Sequence, residues 1–295
     1  MNTCISKIGM FVVFFLVALY ARGAGGTQHT MEDPMTKRTL SADKVEIVYT
    51  ASGSGKTAVI FIHGGFADRT FWSNQLKPFA EKYRVIALDL AGHGESGNNR
   101  TQWNLFSFAQ DVRAVIETEK IDRAVLVGNS LGGPVALVTA GLVPDKIAAI
   151  VAVDTFQDLN EEDDDAAVEF YKKQAAAYRS DFAGTMRQMV KSLFKPDVDP
   201  KLYARVEKKM LDNSPEMAAQ LMESFIGLKL DDTLKKFKRP IRCINGDLYP
   251  TLIEQNRAAH PDFDAVILPD TGHYPMLERP EAFNRHLEKI LENID

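Results

Sequence analysis

Cysteine is nearly missing from this chain: 295 residues hold two, Cys4 and Cys243. A disulfide framework is therefore excluded, and if the N-terminus is removed only Cys243 remains, with no partner for an internal disulfide. Cys243 lies in the apolar run Ile241-Arg242-Cys243-Ile244 and reads as a core residue. An excess of positive charge is also lacking. The formal net charge is -5, no basic stripe alternates with aromatics, and nucleic acid is set aside as a partner. Metal-ligand patterns are lacking too. His93 and Asp89 share the loop Asp89 to Ser96, but no H-x-x-x-H or second carboxylate cluster accompanies them, so this reads as a structural loop and no metal or organic cofactor is implied. Internal repeats and low-complexity tracts do not occur. Nor is there an apolar run of the roughly 20 residues that a membrane-spanning helix needs. The longest, Ile8 to Ala21, follows Lys7 and is followed by the small residues of Ala21-Arg22-Gly23-Ala24-Gly25-Gly26. Residues 1–26 thus read as a signal peptide of an exported, periplasmic or secreted protein, or else as an uncleaved N-terminal anchor, the one membrane contact foreseen.

What is present is a nucleophile-like turn. Gly128-Asn129-Ser130-Leu131-Gly132 reads G-x-S-x-G, between the β-rich Arg123-Ala124-Val125-Leu126-Val127 and the helical-looking Pro134 to Ala140. A serine at the apex of a strand, a sharp turn and a helix projects its hydroxyl from the sheet edge, and the N–H of Leu131 then faces a reacting carbonyl.

The rest of the chain has enough apolar residues for one large α/β domain. Residues 27–43 read as a polar linker. From there β-rich runs (Lys44 to Tyr49, Ala58 to Ile62, Tyr83 to Leu88, Ile147 to Val153) alternate with helical patterns (Trp72 to Lys82, Phe106 to Glu119), which implies a mostly parallel sheet covered on both faces. Residues 44–154 form the first part of the core. The rhythm then breaks, and 155–238 carry only helical patterns interrupted by Pro196, Pro200 and Pro215, a helical cap. Within it Phe170, Tyr171, Tyr178, Phe182, Met186, Met189, Phe194, Met217, Met222 and Phe225 supply an apolar lining, although most of them serve to pack the cap on the core. The core resumes over 239–295, with strands at Pro240 to Asn245 and Ala265 to Leu268 and a closing helix from Pro280 to Asn293.

Two further motifs bear on chemistry. His63-Gly64-Gly65-Phe66 follows an early strand, and its paired glycines let the backbone turn an N–H toward a ligand. Together with the Leu131 N–H it forms an oxyanion hole, with Gly65 as the donor and Phe66 as the alternative. Thr271-Gly272-His273-Tyr274-Pro275 follows the last strand, where the imidazole of His273 reaches the mouth of the sheet and takes the Ser130 proton. Two look-alikes are rejected. Gly53-Ser54-Gly55-Lys56-Thr57 resembles the end of a phosphate loop, but position 50 is Thr and a strand follows instead of a helix; the acidic run Glu161 to Asp165 lacks the alternating oxygen ligands and glycine of a calcium loop.

These residues together resemble the α/β-hydrolase superfamily, in particular its lidded serine esterase and haloperoxidase-like branch. The resemblance rests on His63-Gly64-Gly65-Phe66, Asp89 to Ser96, Gly128 to Gly133, and Gly272-His273 with Glu278-Arg279-Pro280. It implies an eight-stranded, mostly parallel sheet, a cap inserted after the sixth strand, and a Ser-acid-His triad with Ser130 as nucleophile and His273 as base. The family's usual acid position, after the seventh strand, here holds Tyr249. Asp247 sits two residues earlier. Asp154, which ends the sixth strand, resembles the acid of some haloalkane dehalogenases and is the favoured acid, with Asp247 as the alternative. The function implied is hydrolysis of a small apolar carboxylic ester through an acyl-enzyme. A C–C bond or lactone hydrolase with the same triad, or a non-catalytic binding protein on the same fold, are the alternatives.

Overall fold

In the computed structural model, residues 34–159 and 164–294 are described. The expected signal peptide or anchor lies outside them, as does most of the acidic run, although Asp164 caps the helix that follows by accepting from Ala167 N at 2.8 Å. Among the described residues no helix is long and apolar enough to cross a membrane.

The elements run β1 Met35–Leu40, β2 Glu46–Ser52, β3 Ala58–Ile62, α1 Ser73–Ala80, β4 Arg84–Leu88, α2 Leu105–Thr118, β5 Ala124–Asn129, α3 Gly132–Leu142 and β6 Ile147–Val153. The cap follows as α4 Asp165–Ser180, α5 Phe182–Ser192, α6 Pro200–Leu211, α7 Pro215–Glu223 and α8 Asp231–Lys236, and the chain closes with β7 Ile241–Gly246, α9 Ile253–Ala259, β8 Phe263–Leu268, α10 Pro275–Glu278 and α11 Pro280–Glu292. The eight strands form one sheet in the order β1-β2-β4-β3-β5-β6-β7-β8. Only β1 and β2 run antiparallel to their neighbours; from β4 to β8 all pairs are parallel.

The residue types explain this order. Every residue of β3, β5 and β6 is buried, as a parallel strand covered by helices on both faces requires, and all three are rich in Val, Ile, Leu and Ala. α2 packs on α3, and α1 on α11. The segment read as a linker, 27–43, is corrected in part: Met35–Leu40 is a strand. Its sequence MTKRTL carries no apolar alternation because it pairs on one side only, with β2, and stays largely exposed, the polar and charged face typical of a guarded sheet edge. The Gly53 to Thr57 segment joins β2 to β3 as a turn before a strand, in accord with the rejection of a phosphate loop.

Because β3, β5, β6, β7 and β8 are parallel, their C-terminal ends open on one edge of the sheet. The loops leaving them carry His63 to Phe66, Ser130, Asp154, Asp247 and His273, and loops at this edge are where open α/β sheets bind ligands.

Candidate active site

Ser130 stands between the last residue of β5 and the first turn of α3, with φ at 51°, in the left-handed region that a side chain makes costly. Two bonds hold it there: its N–H donates to Val153 O at 3.0 Å, and its carbonyl accepts from Gly133 N at 2.9 Å. The turn also demands glycine after the serine. A Cβ on Gly132 would lie 2.5 Å from the carbonyl oxygen of Ile62, so only a bare backbone lets α3 start this close to β3.

Asp154 occupies the first position after β6, again at a positive φ of 47°, which Asp tolerates better than most residues. Its N–H is bonded to Ile244 O at 3.2 Å, and its Oδ1 accepts from Gly246 N at 2.9 Å, so β7 fixes both its backbone and its carboxylate. The other oxygen, Oδ2, lies 2.6 Å from Nδ1 of His273. The Asp154 side chain is 1% exposed. A carboxylate accepts, so Nδ1 of His273 carries the hydrogen of this bond, and in the neutral ring Nε2 then keeps its lone pair.

His273 is placed by its neighbours. Its N–H donates to Leu193 O of the cap at 2.9 Å and its carbonyl accepts from Asn129 Nδ2 at 3.1 Å. Glu278 grips both sides of it: Oε2 accepts from Gly272 N and Oε1 from Tyr274 N, each at 2.9 Å. Burial raises the pKa of that carboxyl while these two amides favour its ionised form. Asn129 ties three loops together, since the same Nδ2 also donates to Val153 O at 3.0 Å.

Asp247 does not meet His273. Its carboxylate is held by Lys195 at 2.5 Å and by the amides of Thr271 at 3.0 Å and Asp270 at 3.1 Å, and the Lys195 hydrogen bond is the main cause that draws its pKa down to about 2. Tyr249, at the family's usual acid position, is exposed and donates to Ser192 O at 3.3 Å. The hydrogen bond to the imidazole is made by the favoured residue, Asp154, and the alternative serves to brace the loop before His273.

The other loop begins at His63, buried, with Nδ1 2.7 Å from Gly64 O and Nε2 accepting from Leu90 N at 3.0 Å. Burial depresses its pKa to about 4, so it is neutral, and these two bonds fix the Gly64-Gly65-Phe66 turn against the loop after β4. His93 lies in that same loop, its ring 5.0 Å from that of His63. It is buried in the loop that the sequence reads as structural, and Asp89 of the same loop forms an ion pair with Arg69. Phe66 is buried with φ at 64°. The N–H groups of Gly65, Phe66 and Leu131 have no acceptor among the described residues. All three residues, with Ser130 and His273, line a single cavity of about 240 Å³.

Among the described residues that line this cavity none has an acidic or Lys/Arg side chain. Of the apolar cap residues named from the sequence, Tyr171, Met189, Met222 and Phe225 line it, joined by Leu193, Met210 and Leu221. Tyr178, Met186, Phe194 and Met217 are buried as packing, and Phe170 is exposed. Among the described residues no group of three His, Cys, Asp or Glu side chains is arranged to hold a metal. Asn129 and Glu278 escaped assignment as positioning groups because both act on main-chain atoms, which leave no mark on residue spacing.

The chain resembles several known proteins. It is 28% identical over 259 residues to the dihydrolipoyllysine-residue acetyltransferase component of the acetoin cleaving system of Pseudomonas putida, covering 82% of this chain and 65% of that protein. It is 23% identical over 267 residues to 3-oxoadipate enol-lactonase 2 of Acinetobacter baylyi, covering 88% of this chain and 98% of the other. A thermophilic esterase from Thermogutta terrifontis superposes with a TM-score of 0.76 at 24% identity, over 89% of this chain and 99% of that one. The family model for the alpha/beta hydrolase family matches residues 59–286, from β3 into α11 and across every motif above, and the chain belongs to that family.

Proposed function

We propose that the protein is a serine hydrolase that cleaves a neutral, apolar carboxylic ester through an acyl-enzyme. The observation that carries this reading is the 2.6 Å bond between Asp154 Oδ2 and His273 Nδ1 in the loop facing Ser130, because it sets the one tautomer in which Nε2 can act as a base. In this scheme Ser130 Oγ attacks the carbonyl carbon and His273 Nε2 takes its proton. The tetrahedral oxyanion accepts from the N–H groups of Leu131 and Gly65, with Phe66 as the alternative donor, and lies near the positive end of α3. Collapse expels the alcohol, which takes the proton from the imidazolium, and water repeats the sequence to release the acid. The uncharged cavity walls favour an ester without a charged group near the reacting carbon.

Opening of a lactone, an internal ester, is the second reading, favoured by the full-length likeness to an enol-lactonase. C–C cleavage would require a carbanion to leave, and a diketone substrate separates it from both. A fluorophosphonate probe tests the proposal directly. It should label Ser130 stoichiometrically, and Ser130→Ala should lose labelling and ester turnover together. Turnover undiminished in that variant refutes the assignment, and a protein that neither labels nor hydrolyses is a binding protein on this fold.

A further inference from the structure

A second cavity of about 290 Å³ adjoins the one over Ser130. It lies between α3 and the α7–α8 region of the cap, with Leu137, Leu228 and Leu234 among its walls and Asp158 and Asp231 at its polar side. The two cavities share two residues, Tyr171 and Phe225. Their rings are stacked, with centroids 5.5 Å apart and planes inclined by 23°. Both residues are half-buried, and their stacked rings stand where the two linings meet. Tyr171 is on α4 and Phe225 in the turn after α7, and rings on single side chains swing by rotamer change without moving the backbone that carries them.

We infer that the second cavity is a distal pocket for the aliphatic tail of a longer ester, admitted when the Tyr171–Phe225 pair parts; this rests on the serine-hydrolase reading above. The first chamber alone falls below the roughly 300–1,000 Å³ of ordinary small-molecule sites, whereas the joined space lies within that range. Among the described residues, the walls of the second chamber include Asp158 and Asp231 but no Lys or Arg. A tail ending in a carboxylate is therefore disfavoured, and an uncharged chain is the class that fits.

The test is a chain-length series, run separately on the acyl and the alcohol side. For chains that outgrow the first chamber, each added methylene should raise kcat/KM about fourfold, as expected when a methylene leaves water. Leu228→Trp, at a half-buried position away from Ser130, should fill the distal pocket. It should leave acetyl ester turnover and fluorophosphonate labelling within about twofold and lower decanoyl or decyl ester turnover at least tenfold. Phe225→Ala should shift preference toward the longer chains. Monoethyl sebacate should be a poorer substrate than ethyl decanoate. Loss confined to one series says whether the acyl or the alcohol chain occupies the pocket. If Leu228→Trp lowers short and long esters equally, or neither, with labelling retained, the distal pocket is refuted. If labelling itself fails, the hydrolase reading falls, and calorimetry of ethyl decanoate binding to Ser130→Ala with and without Leu228→Trp still decides the pocket: weaker binding in the double variant supports it, and equal binding overturns it.

Discussion

Replacing Asp154 by Asn should remove turnover while leaving the fold almost untouched, and the hydrogen bonds say why. The residue sits at φ 47°, a conformation Asn accepts at least as well as Asp, so the backbone is not perturbed. An amide at this site has one acceptor oxygen, and two donors compete for it: Gly246 N, now 2.9 Å from Oδ1, and Nδ1–H of His273, 2.6 Å from Oδ2. If the oxygen stays on Gly246, the NH₂ group faces Nδ1, which must then give up its hydrogen, and the imidazole switches to the tautomer with the proton on Nε2. That imidazole cannot take the Ser130 proton. If the amide is reversed, the buried NH₂ meets the N–H of Gly246 with no acceptor, at a cost of about 1–3 kcal/mol. The first arrangement is preferred, and kcat should fall on the order of 10⁴-fold, about 5.5 kcal/mol of transition-state stabilisation. Since Gly246 keeps its partner, Tm should shift by only a few degrees. Asp247→Asn is the control: it weakens a partly exposed ion pair worth about 0–1 kcal/mol, and should lower Tm slightly and kcat hardly at all. Both variants are assayed for kcat on a nitrophenyl ester and for Tm by calorimetry. An Asp154→Asn enzyme within tenfold of the parent, or an inactive Asp247→Asn enzyme, refutes the reasoning.

Glu278→Gln should leave one of the amides flanking His273 facing an NH₂ group, lowering kcat about 10- to 100-fold with KM little changed; a drop in KM-dependent binding alone would contradict a positioning role. Gly132→Ala drives a Cβ to 2.5 Å from Ile62 O and should cost about 3 kcal/mol, some 6–12 °C in Tm, and an unchanged Tm would show that α3 is free to shift. Burial, with the neighbouring His63 as a lesser cause, depresses the pKa of His93 to about 3, so between that value and 6.5 the unfolded chain binds the extra proton and folding stability falls as pH falls. Relative to His93→Phe, the parent should therefore lose about 2 kcal/mol on going from pH 7 to pH 5, and a pH-independent difference in Tm between the two proteins would rule this out.

Legibility in the sequence followed the kind of interaction that each residue makes. Ser130 was readable because its turn needs a particular local string, a strand followed by glycine, serine and glycine and then a helix, and local strain selects residue types at fixed spacing. The buried strands were readable for the same reason, as local runs of four or more apolar residues. β1 was not, because a one-sided edge strand buries little and so leaves a polar sequence. α9, Ile253–Ala259, is too short to establish a helical period and also went unread.

What the sequence by itself determined is the α/β-hydrolase fold, the cap's place between β6 and β7, and the positions of Ser130 and His273, since all of these depend on short-range periodicity and turn chemistry. The tertiary structure alone shows which of the two aspartates, Asp154, meets the imidazole. Asp154 and Asp247 both follow strands at the same sheet edge, and no local rule separates them; the choice rests on where two loops more than a hundred residues apart in the chain come together, with Gly246 N and His273 Nδ1 claiming Asp154 while Lys195 from the cap claims Asp247. The lining of the cavity was decided in the same way. An apolar side chain packs equally well into a core or against a void, so composition could nominate the cap's aromatics and methionines, but only the packing of α4 against α7 and the turn after it shows that Tyr171 and Phe225 line both cavities.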